Sequence, residues 1–270
     1  MKSIETIGIA GFGPMGQLMK QHMLPNAKIL ISDPGLPKSK DNVLAINLSA
    51  CDAVLLTVPA QNLQGVLKDV IVPPKVKSSW DEIDPSIKAG WVDPLIIDAC
   101  SVKMFPEKVV ETIDPDFPQL LHCHPLFGPQ STKDGLEGKT VIVTKKQGEK
   151  AEAILDFWQN ERGLDIVEMT AEEHDREMAK IQAVTFVLGR LANQAGLGQL
   201  KDSALATFSS SIAGELALLD AAHSEALLET IVAFNPFVKT EILKLEQSLW
   251  QLESLCMKGG MALAGVGLLL

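Results

Sequence analysis

Two apolar stretches in the first half of the chain are followed by side chains that can hold or transfer protons. These side chains are Asp98, Ser101 and Lys103 after the first stretch, and His122 and His124 after the second. Histidine can accept a proton near neutral pH, and Ser101 and Lys103 after the nearby stretch favour a catalytic over a structural role for it. If both stretches are parallel strands, their carboxyl ends meet at one edge of a sheet, where ligands bind. The spacing therefore predicts acid–base chemistry at that edge.

The register of the second stretch decides which groups can act together. Side chains alternate along a strand, so His122 and His124 point to one side and Cys123 points to the other. Cys123 and His124 are therefore not a nucleophile–base pair.

A glycine-rich turn lies close to the start of the sequence, directly after the apolar run Ile4 to Ala10. Its glycines have the spacing G-x-G-x-x-G, which is typical of a turn that binds a dinucleotide. Gly11 permits the tight turn, Gly13 lets the backbone approach a pyrophosphate, and Gly16 lets the following helix pack closely on its strand. The helix start offers free N–H groups to the phosphates. The predicted cofactor-binding turn is Gly11, Phe12, Gly13, Pro14, Met15 and Gly16.

The choice of dinucleotide follows from the next apolar run, Ala27 to Ile31, which leads into Ser32 and Asp33. A carboxylate at the tip of the second strand hydrogen-bonds the ribose hydroxyl groups of NAD and repels the 2′-phosphate of NADP. The nearest cations, Lys38 and Lys40, lie in the following loop. We therefore expect NAD rather than NADP as the cofactor.

The order of apolar runs and helical patterns predicts two domains. Apolar runs alternate with helical stretches up to residue 169, which predicts an α/β domain with a doubly wound, mainly parallel Rossmann-type sheet. A capping box, Thr170 followed by Glu173, then opens a long helix to about Asn193, and the chain stays helical in pattern to Leu255. We predict an NAD-binding domain over 1–169 and an all-α domain for substrate binding and dimerisation over 170–270. The segment Pro73–Pro94 is predicted to be a surface excursion between a helix and a strand.

Composition excludes several classes of partner. The net charge of −10 argues against nucleic acid, which needs a basic face. The four cysteines show no C-x-x-C spacing, so we expect free thiols and no metal site. The apolar tail Met261–Leu270 is too short to span a bilayer, and we expect it to pack on a partner subunit or to be disordered. No signal peptide or basic arm precedes the first strand, so a cytoplasmic location is expected.

Four motifs, in this order and spacing, resemble the prephenate/arogenate dehydrogenase family, the oxidoreductases of tyrosine biosynthesis. They are the turn Gly11–Gly16, Asp98-x-x-Ser101-Val-Lys103, His124-Pro-Leu-Phe-Gly-Pro129, and Glu172-Glu-His-Asp-Arg176 with Ala179 and Gln182. The stretch from Pro125 to Gly135 and the pair Gly189-Arg190 look especially like the plant-type arogenate enzymes. The resemblance implies prephenate dehydrogenase activity, in which hydride passes to NAD and prephenate loses carbon dioxide to give 4-hydroxyphenylpyruvate.

The resemblance also implies roles for the polar residues at the two strand ends. His124 matches the histidine that takes the proton of the substrate's 4-hydroxyl group, and Ser101 matches the serine that holds the imidazole or the hydroxyl in line. Lys103 would supply positive charge for a substrate carboxylate.

The long helix is expected to contribute further substrate ligands. Gln182, Phe186 and Arg190 share one helix face by their i, i+4, i+8 spacing, and Gln182 and Arg190 are the candidates on it. Arg190 either grips a substrate carboxylate or caps carbonyl groups near the end of its helix. Phe186 stands where the family carries a substrate-binding histidine, and Gly214 stands where its prephenate enzymes often place an arginine.

Several alternatives remain open at this point. Arogenate dehydrogenase is the nearest, and prephenate is preferred only because Lys103 and Arg190 offer cations for its two carboxylates. A β-hydroxyacid or imino-acid reductase would rely on a helix lysine or tyrosine, and the helix offers Lys180 while the chain has no tyrosine. A non-catalytic NAD sensor would need a partner-binding module that the pattern does not show. An apolar stripe predicts a homodimer through the helical domain: Leu216, Leu219, Leu227, Leu228 and Ile231.

Overall fold

The computed structural model describes residues 4–37, 51–68, 94–113 and 117–267, with side chains described up to Met257. The segment Pro73–Pro94, apart from its last residue, lies outside these ranges, and so do the side chains of the apolar tail. The chain forms two compact units, of which the first ends at Asp175 and the second begins at Arg176. The division into functional domains at 169/170 stays a prediction.

The first unit is built on a seven-stranded sheet whose order is β2-β1-β3-β4-β5-β6-β7. The strands are β1 Thr6–Ala10, β2 Lys28–Ser32, β3 Ala53–Leu56, β4 Leu95–Asp98, β5 Leu120–Pro125, β6 Thr140–Gln147 and β7 Asp165–Glu168. All neighbouring strands are parallel except β5 and β6, which are antiparallel. The predicted mainly parallel, doubly wound sheet is therefore confirmed. The strand order reverses between β1 and β3, which is where such sheets bind their ligands.

Helices cover the sheet, and the central strands β1, β3 and β4 are almost wholly apolar because both of their faces are buried. In the part of this unit that the structure describes, the α-helices are α1 Pro14–Leu18, α2 Ala60–Val66, α3 Met104–Ile113, α4 Glu149–Arg162 and the start of α5 Ala171–Met178. One face of the sheet packs with Trp158 of α4, whose indole N–H donates to the carbonyl of Met23 over 2.7 Å. The other face packs with Leu63 of α2 and Val109 of α3. The core is therefore double, with the sheet between its halves.

The second unit contains helices joined by turns, and no strand occurs among its described residues. A π-helical turn, Ala179–Ala183, leads into α6 Val184–Gln194, α7 Leu197–Leu200, α8 Phe208–Ala222, α9 Glu225–Ala233 and α10 Val238–Gly267. Gly189 permits a close approach of α6 and α8, since a Cβ at this position would lie 3.1 Å from the carbonyl oxygen of Leu216. Ile231, from the apolar stripe predicted to form a dimer contact, is instead buried in this unit's own core, whereas Leu219 is exposed. Among the described helices, none has both the length and the apolar character that a membrane crossing needs.

Candidate active site

The glycine turn joins β1 to α1 at the carboxyl edge of the sheet. Gly11 has φ of +86°, a conformation that side chains other than glycine rarely adopt. A Cβ on Gly16 would lie 2.4 Å from the carbonyl oxygen of Gly11, so α1 can sit this close only with glycine there. Nothing lies within 4 Å of the Cβ position of Gly13, which leaves its backbone open to a ligand. These three environments fit the roles expected from the spacing.

Thr57, which follows β3, fixes the turn from the neighbouring strand. Its hydroxyl group donates to the carbonyl of Gly11 over 2.6 Å, and its backbone N–H donates to Ala10 over 3.0 Å. Sequence reasoning did not identify Thr57, because this contact joins residues 46 positions apart. Hydrogen bonds within the protein therefore stabilise the conformation of the turn without a ligand.

Asp33 lies directly after β2 and is tied to the glycine turn. One carboxylate oxygen accepts the N–H of Phe12 over 2.6 Å, and the other accepts the N–H of Gly35 over 2.7 Å. The carboxylate is therefore oriented beside the turn. Of the other turn residues, Pro14 is exposed at the start of α1 and Met15 is half-buried.

His124 lies near the end of β5 and is almost fully buried. Its Nδ1 atom is 2.8 Å from Nε2 of His174, and the two rings meet edge to face with centroids 5.0 Å apart. Nδ1 of His174 is in turn 2.8 Å from a carboxylate oxygen of Asp175. The structure thus places the buried pair Asp175–His174 behind His124, the predicted proton acceptor. His174 and Asp175 belong to the motif Glu172–Arg176, for which no chemical role was predicted.

Asp175 also fixes the turn between β4 and α3, which carries Ser101. Its two carboxylate oxygens accept the backbone N–H groups of Lys103, over 2.8 Å, and of Met104, over 2.9 Å. These are free donors at the start of a helix, so the carboxylate caps α3. Ser101 is half-buried in this turn.

Lys103 departs from the role expected for it. The side chain is fully buried, and its Nζ atom donates to the carboxylate of Asp98 over 2.5 Å and to the carbonyl of Cys123 over 2.6 Å. Its ammonium group therefore neutralises Asp98 inside the protein and has no exposed surface for a substrate carboxylate.

His122 belongs to the same buried cluster. Its Nδ1 atom lies 3.0 Å from Asp98, which is its register partner on β4. Cys123 packs with Leu121 in the core on the opposite face of the sheet, although the pairing with β6 shifts between His122 and Cys123. Among the described residues, Nε2 of His122 has no hydrogen-bond partner.

The charges and burial of this region determine which groups can accept a proton. Burial lowers the pKa of His124 well below its ordinary value, His174 and Lys103 lower it further, and Asp98 acts in the opposite direction. Burial raises the pKa of the Cys100 and Cys123 thiols to about 12. His124 is therefore neutral and can accept a proton at pH 7, whereas neither thiol provides a thiolate nucleophile.

The second unit pairs Arg190 with acids of its own chain. Nε of Arg190 donates to both carboxylate oxygens of Asp220, over 3.1 and 3.0 Å, and the terminal nitrogens donate to Glu225 over 3.1 and 2.8 Å. These contacts match neither a free substrate ligand nor a cap on helix carbonyls.

The other candidate positions of the second unit are Gln182 in the π-helical turn, Phe186 on α6 and Gly214 on α8. Phe186 stacks on His223 with centroids 4.7 Å apart. The side-chain oxygen of Gln182 is buried and, within the described part of the chain, has no hydrogen-bond partner. At Gly214, a Cβ would lie 2.8 Å from Cβ of Lys201, so an arginine would not fit there without movement of the backbone.

The parallel sheet, its reversal at β1 and β3, and the glycine turn with Asp33 define a Rossmann-type dinucleotide-binding fold. Within the residues that the structure describes, no three His, Cys, Asp or Glu side chains are grouped as a metal site.

Comparison with known proteins identifies relatives by sequence, although no family model matches the chain. Arogenate dehydrogenase 2 of Arabidopsis thaliana is 26% identical over 208 residues, which cover 71% of this chain and 54% of the relative. Arogenate dehydrogenase 1 of the same plant is 33% identical over 111 residues, which cover 38% of this chain and 17% of the relative. The chain thus spans about half the length of the first relative and less than a fifth of the second.

Solved structures show the same fold. Prephenate dehydrogenase of A. aeolicus, crystallised with hydroxyphenyl propionate and NAD+, matches with a TM-score of 0.64 at 19% identity, covering 96% of this chain and 92% of that one. Arogenate dehydrogenase of Synechocystis matches with a TM-score of 0.55 at 15% identity, covering 94% and 92%. By sequence the chain is thus similar to arogenate dehydrogenases, and by fold it is similar to prephenate and arogenate dehydrogenases.

Proposed function

We propose that the chain catalyses the NAD-dependent oxidative decarboxylation of a 4-hydroxycyclohexadienyl acid, prephenate or arogenate. One observation carries the proposal: the same edge of one sheet holds a glycine turn open at Gly13 and a neutral imidazole at His124. A nucleotide site and a proton acceptor are the two parts that such a reaction needs from a protein. The similarity to these dehydrogenases supports the same activity.

The residues of the turn fit NAD. The open backbone at Gly13 can approach the pyrophosphate, and a side chain there would fill that space. Asp33 would accept hydrogen bonds from the ribose hydroxyl groups while repelling a 2′-phosphate. When bound, NAD supplies the hydride acceptor. The related A. aeolicus enzyme was crystallised with NAD+, which agrees with this assignment.

His124 would act on the substrate's 4-hydroxyl group. As hydride leaves the carbon that bears this group, the hydroxyl proton moves to the imidazole and a carbonyl forms. Loss of carbon dioxide from the opposite ring carbon then supplies the electron pair that makes the ring aromatic, and the proton returns to the oxygen to give a phenol. Aromatisation drives the reaction, so the protein has to orient the substrate and hold one proton. Ser101 would hold the hydroxyl or the imidazole in line.

The choice between the two substrates is part of the experiment. Prephenate was preferred because Lys103 and Arg190 could each bind a carboxylate, but both side chains are engaged by carboxylates of the same chain. Neither cation therefore favours prephenate over arogenate. Gln182 remains a proposed substrate ligand because its side-chain oxygen is buried without a described partner.

A homodimer through the helical unit remains part of the proposal. Large apolar side chains are exposed on two of its helices, including Phe208 and Ile212 of α8 and Trp250 of α10. A second copy of the chain would remove them from water. Light scattering at micromolar concentration should give twice the monomer mass, and a monomer mass would contradict the proposal.

The activity is tested by measuring the absorbance of reduced nicotinamide with NAD and either substrate. His124→Asn should lower kcat by roughly two to four orders of magnitude, the usual contribution of a positioned acid–base group, with NAD affinity unchanged. His122→Asn is the matched control. It should lower stability, because His122 contacts buried Asp98, but should retain most of the rate while folded. Absence of turnover with both substrates, or a larger rate loss in the control, would contradict the proposal.

A further inference from the structure

We propose that His174 and Asp175 are positioning residues that hold His124 in the tautomer whose Nε2 atom is free to accept the substrate's proton. The inference rests on the proposed function, because it assigns the direction in which His124 acts. It rests on two hydrogen bonds of 2.8 Å, one between Asp175 and His174 and one between His174 and His124.

The direction of each hydrogen bond follows from what the groups can donate. An ionised carboxylate only accepts, so Nδ1 of His174 must carry the hydrogen that points at Asp175. A neutral imidazole has one N–H, which leaves Nε2 of His174 as an acceptor. Burial lowers the pKa of His174, against the hydrogen bond to Asp175, and so favours this neutral form. The partner of that acceptor, Nδ1 of His124, must then donate.

As a result, the ring lone pair of His124 that can accept a proton is on Nε2. With its single hydrogen on Nδ1, Nε2 is unprotonated and can receive the hydroxyl proton. The opposite tautomer would place a hydrogen on Nε2 and could not accept there. It would also bring two lone pairs together at the contact with His174. The carboxylate of Asp175 therefore determines the tautomer of His124 through His174, without contacting His124 directly.

The chain behind His124 is held rigidly. His174 and Asp175 are fully buried, and Asp175 is fixed by the backbone N–H groups of Lys103 and Met104. Rotation of the His174 ring would break both of its hydrogen bonds.

The charged groups that influence His124 are Lys103 and Asp98. The ammonium group of Lys103 opposes protonation of His124, while the carboxylate of Asp98 favours it. The hydrogen-bond chain therefore fixes the tautomer of a neutral His124 and does not require this ring to be protonated.

Nuclear magnetic resonance tests the tautomer directly on the whole protein without substrate. The chain has five histidines, and the spectrum of His124→Asn identifies the signals of His124. With 15N-labelled imidazoles at pH 7, we expect Nδ1 of His124 to be protonated and Nε2 to be unprotonated. A hydrogen on Nε2, or on both nitrogens, would overturn the proposal.

Two substitutions of His174 then test the effect on catalysis. His174→Gln keeps an oxygen that can accept from Nδ1 of His124, whereas His174→Leu offers no acceptor. We avoid Asp175→Asn because Asp175 also caps α3. In His174→Leu, kcat should fall on the order of 10²-fold, as it does when a reacting group is misplaced. The hydrogen of His124 should then no longer prefer Nδ1. His174→Gln should recover most of the rate and that preference, with the KM for NAD unchanged in both.

The outcomes separate this inference from the proposed function. If both variants lose the same activity, or neither does, His174 does not act by accepting from His124 and the inference fails. If the wild-type protein turns over neither substrate while His124 shows the expected tautomer, the proposed function fails and the hydrogen-bond chain stands. If either variant does not fold, the spectrum of the wild-type protein still decides the tautomer.

Discussion

Replacement of Lys103 by methionine should destabilise the first unit strongly. The substitution removes the ammonium group that donates to Asp98 and to the carbonyl of Cys123, and it leaves a side chain of similar length. Asp98 is fully buried, so its carboxylate would remain in the interior with much of its compensation lost. Removing one partner of a buried ion pair is costly because the other charge stays buried.

The magnitude follows from the pKa of Asp98. Burial raises this pKa, but Lys103 and His122 outweigh burial and lower it from 3.8 to about 2. A shift of this size corresponds to about 2 kcal/mol of stabilisation of the charged form. Breaking a buried pair costs about 3 to 5 kcal/mol in general. We therefore expect Lys103→Met to lower the free energy of unfolding by about 3 kcal/mol, and Asp98→Asn with Lys103→Met to lose less than the sum of the single changes.

The pH dependence gives the sign of the effect. The pKa of Asp98 is lowered by folding, so its contribution is present above the pKa of the unfolded chain and is lost as pH falls from about 4 towards 2. The difference in stability between the wild-type protein and Lys103→Met should therefore shrink over that range.

Urea unfolding followed by hydrogen exchange of peptides from β4 and β5 measures this sheet without interference from the helical unit. Lys146→Met is the matched control, because Lys146 pairs with Glu168 and Glu152 at the surface, and such pairs contribute less than about 1 kcal/mol. Equal losses in Lys103→Met and Lys146→Met, or strictly additive losses at Asp98 and Lys103, would refute the reasoning.

Four further substitutions separate effects on binding from effects on stability. Gly13→Ala should weaken NAD binding in a titration at unchanged melting temperature, because its Cβ would meet no protein atom, whereas Gly16→Ala should lower the melting temperature, because its Cβ would lie 2.4 Å from a backbone oxygen. The reverse pattern would contradict this account. Asp33→Ser should lower the ratio of kcat/KM with NAD to kcat/KM with NADP. If the wild-type protein has similar kcat/KM values with both cofactors, the choice of NAD is refuted. Arg190→Lys should lower the melting temperature, because lysine cannot bridge both Asp220 and Glu225. A raised substrate KM at unchanged melting temperature would show instead that Arg190 binds substrate.

Local constraints explain why parts of the fold could be predicted from the sequence. The roles of Gly11 and Gly16 depend mainly on backbone within and beside one turn, so their spacing carries the information. The ends of strand β4 follow from the sequence pattern, because β4 is a short apolar run that stops at Asp98. The end of strand β6 does not follow from the pattern, because the apolar run marks only its buried part and the strand continues through polar residues to Gln147.

Partners far along the chain explain what the sequence did not reveal. Lysine is rarely buried unless it is paired, and the contact of Lys103 with the carbonyl of Cys123 joins residues 20 positions apart. His174 reaches His124 over 50 positions. The helical spacing correctly placed Phe186 and Arg190 on one face of α6, but it could not show that α8 brings His223 and Asp220 against them.

The cap that Asp175 places on α3 has a consequence for biosynthesis. The N–H group of Lys103 receives its acceptor from a residue 72 positions later. A ribosome that adds about 5 to 20 residues per second makes these two residues roughly 4 to 14 s apart. All seven strands, which end at Glu168, are translated before this acceptor exists. On a nascent chain, the surroundings of His124 should therefore be among the last parts of this unit to mature.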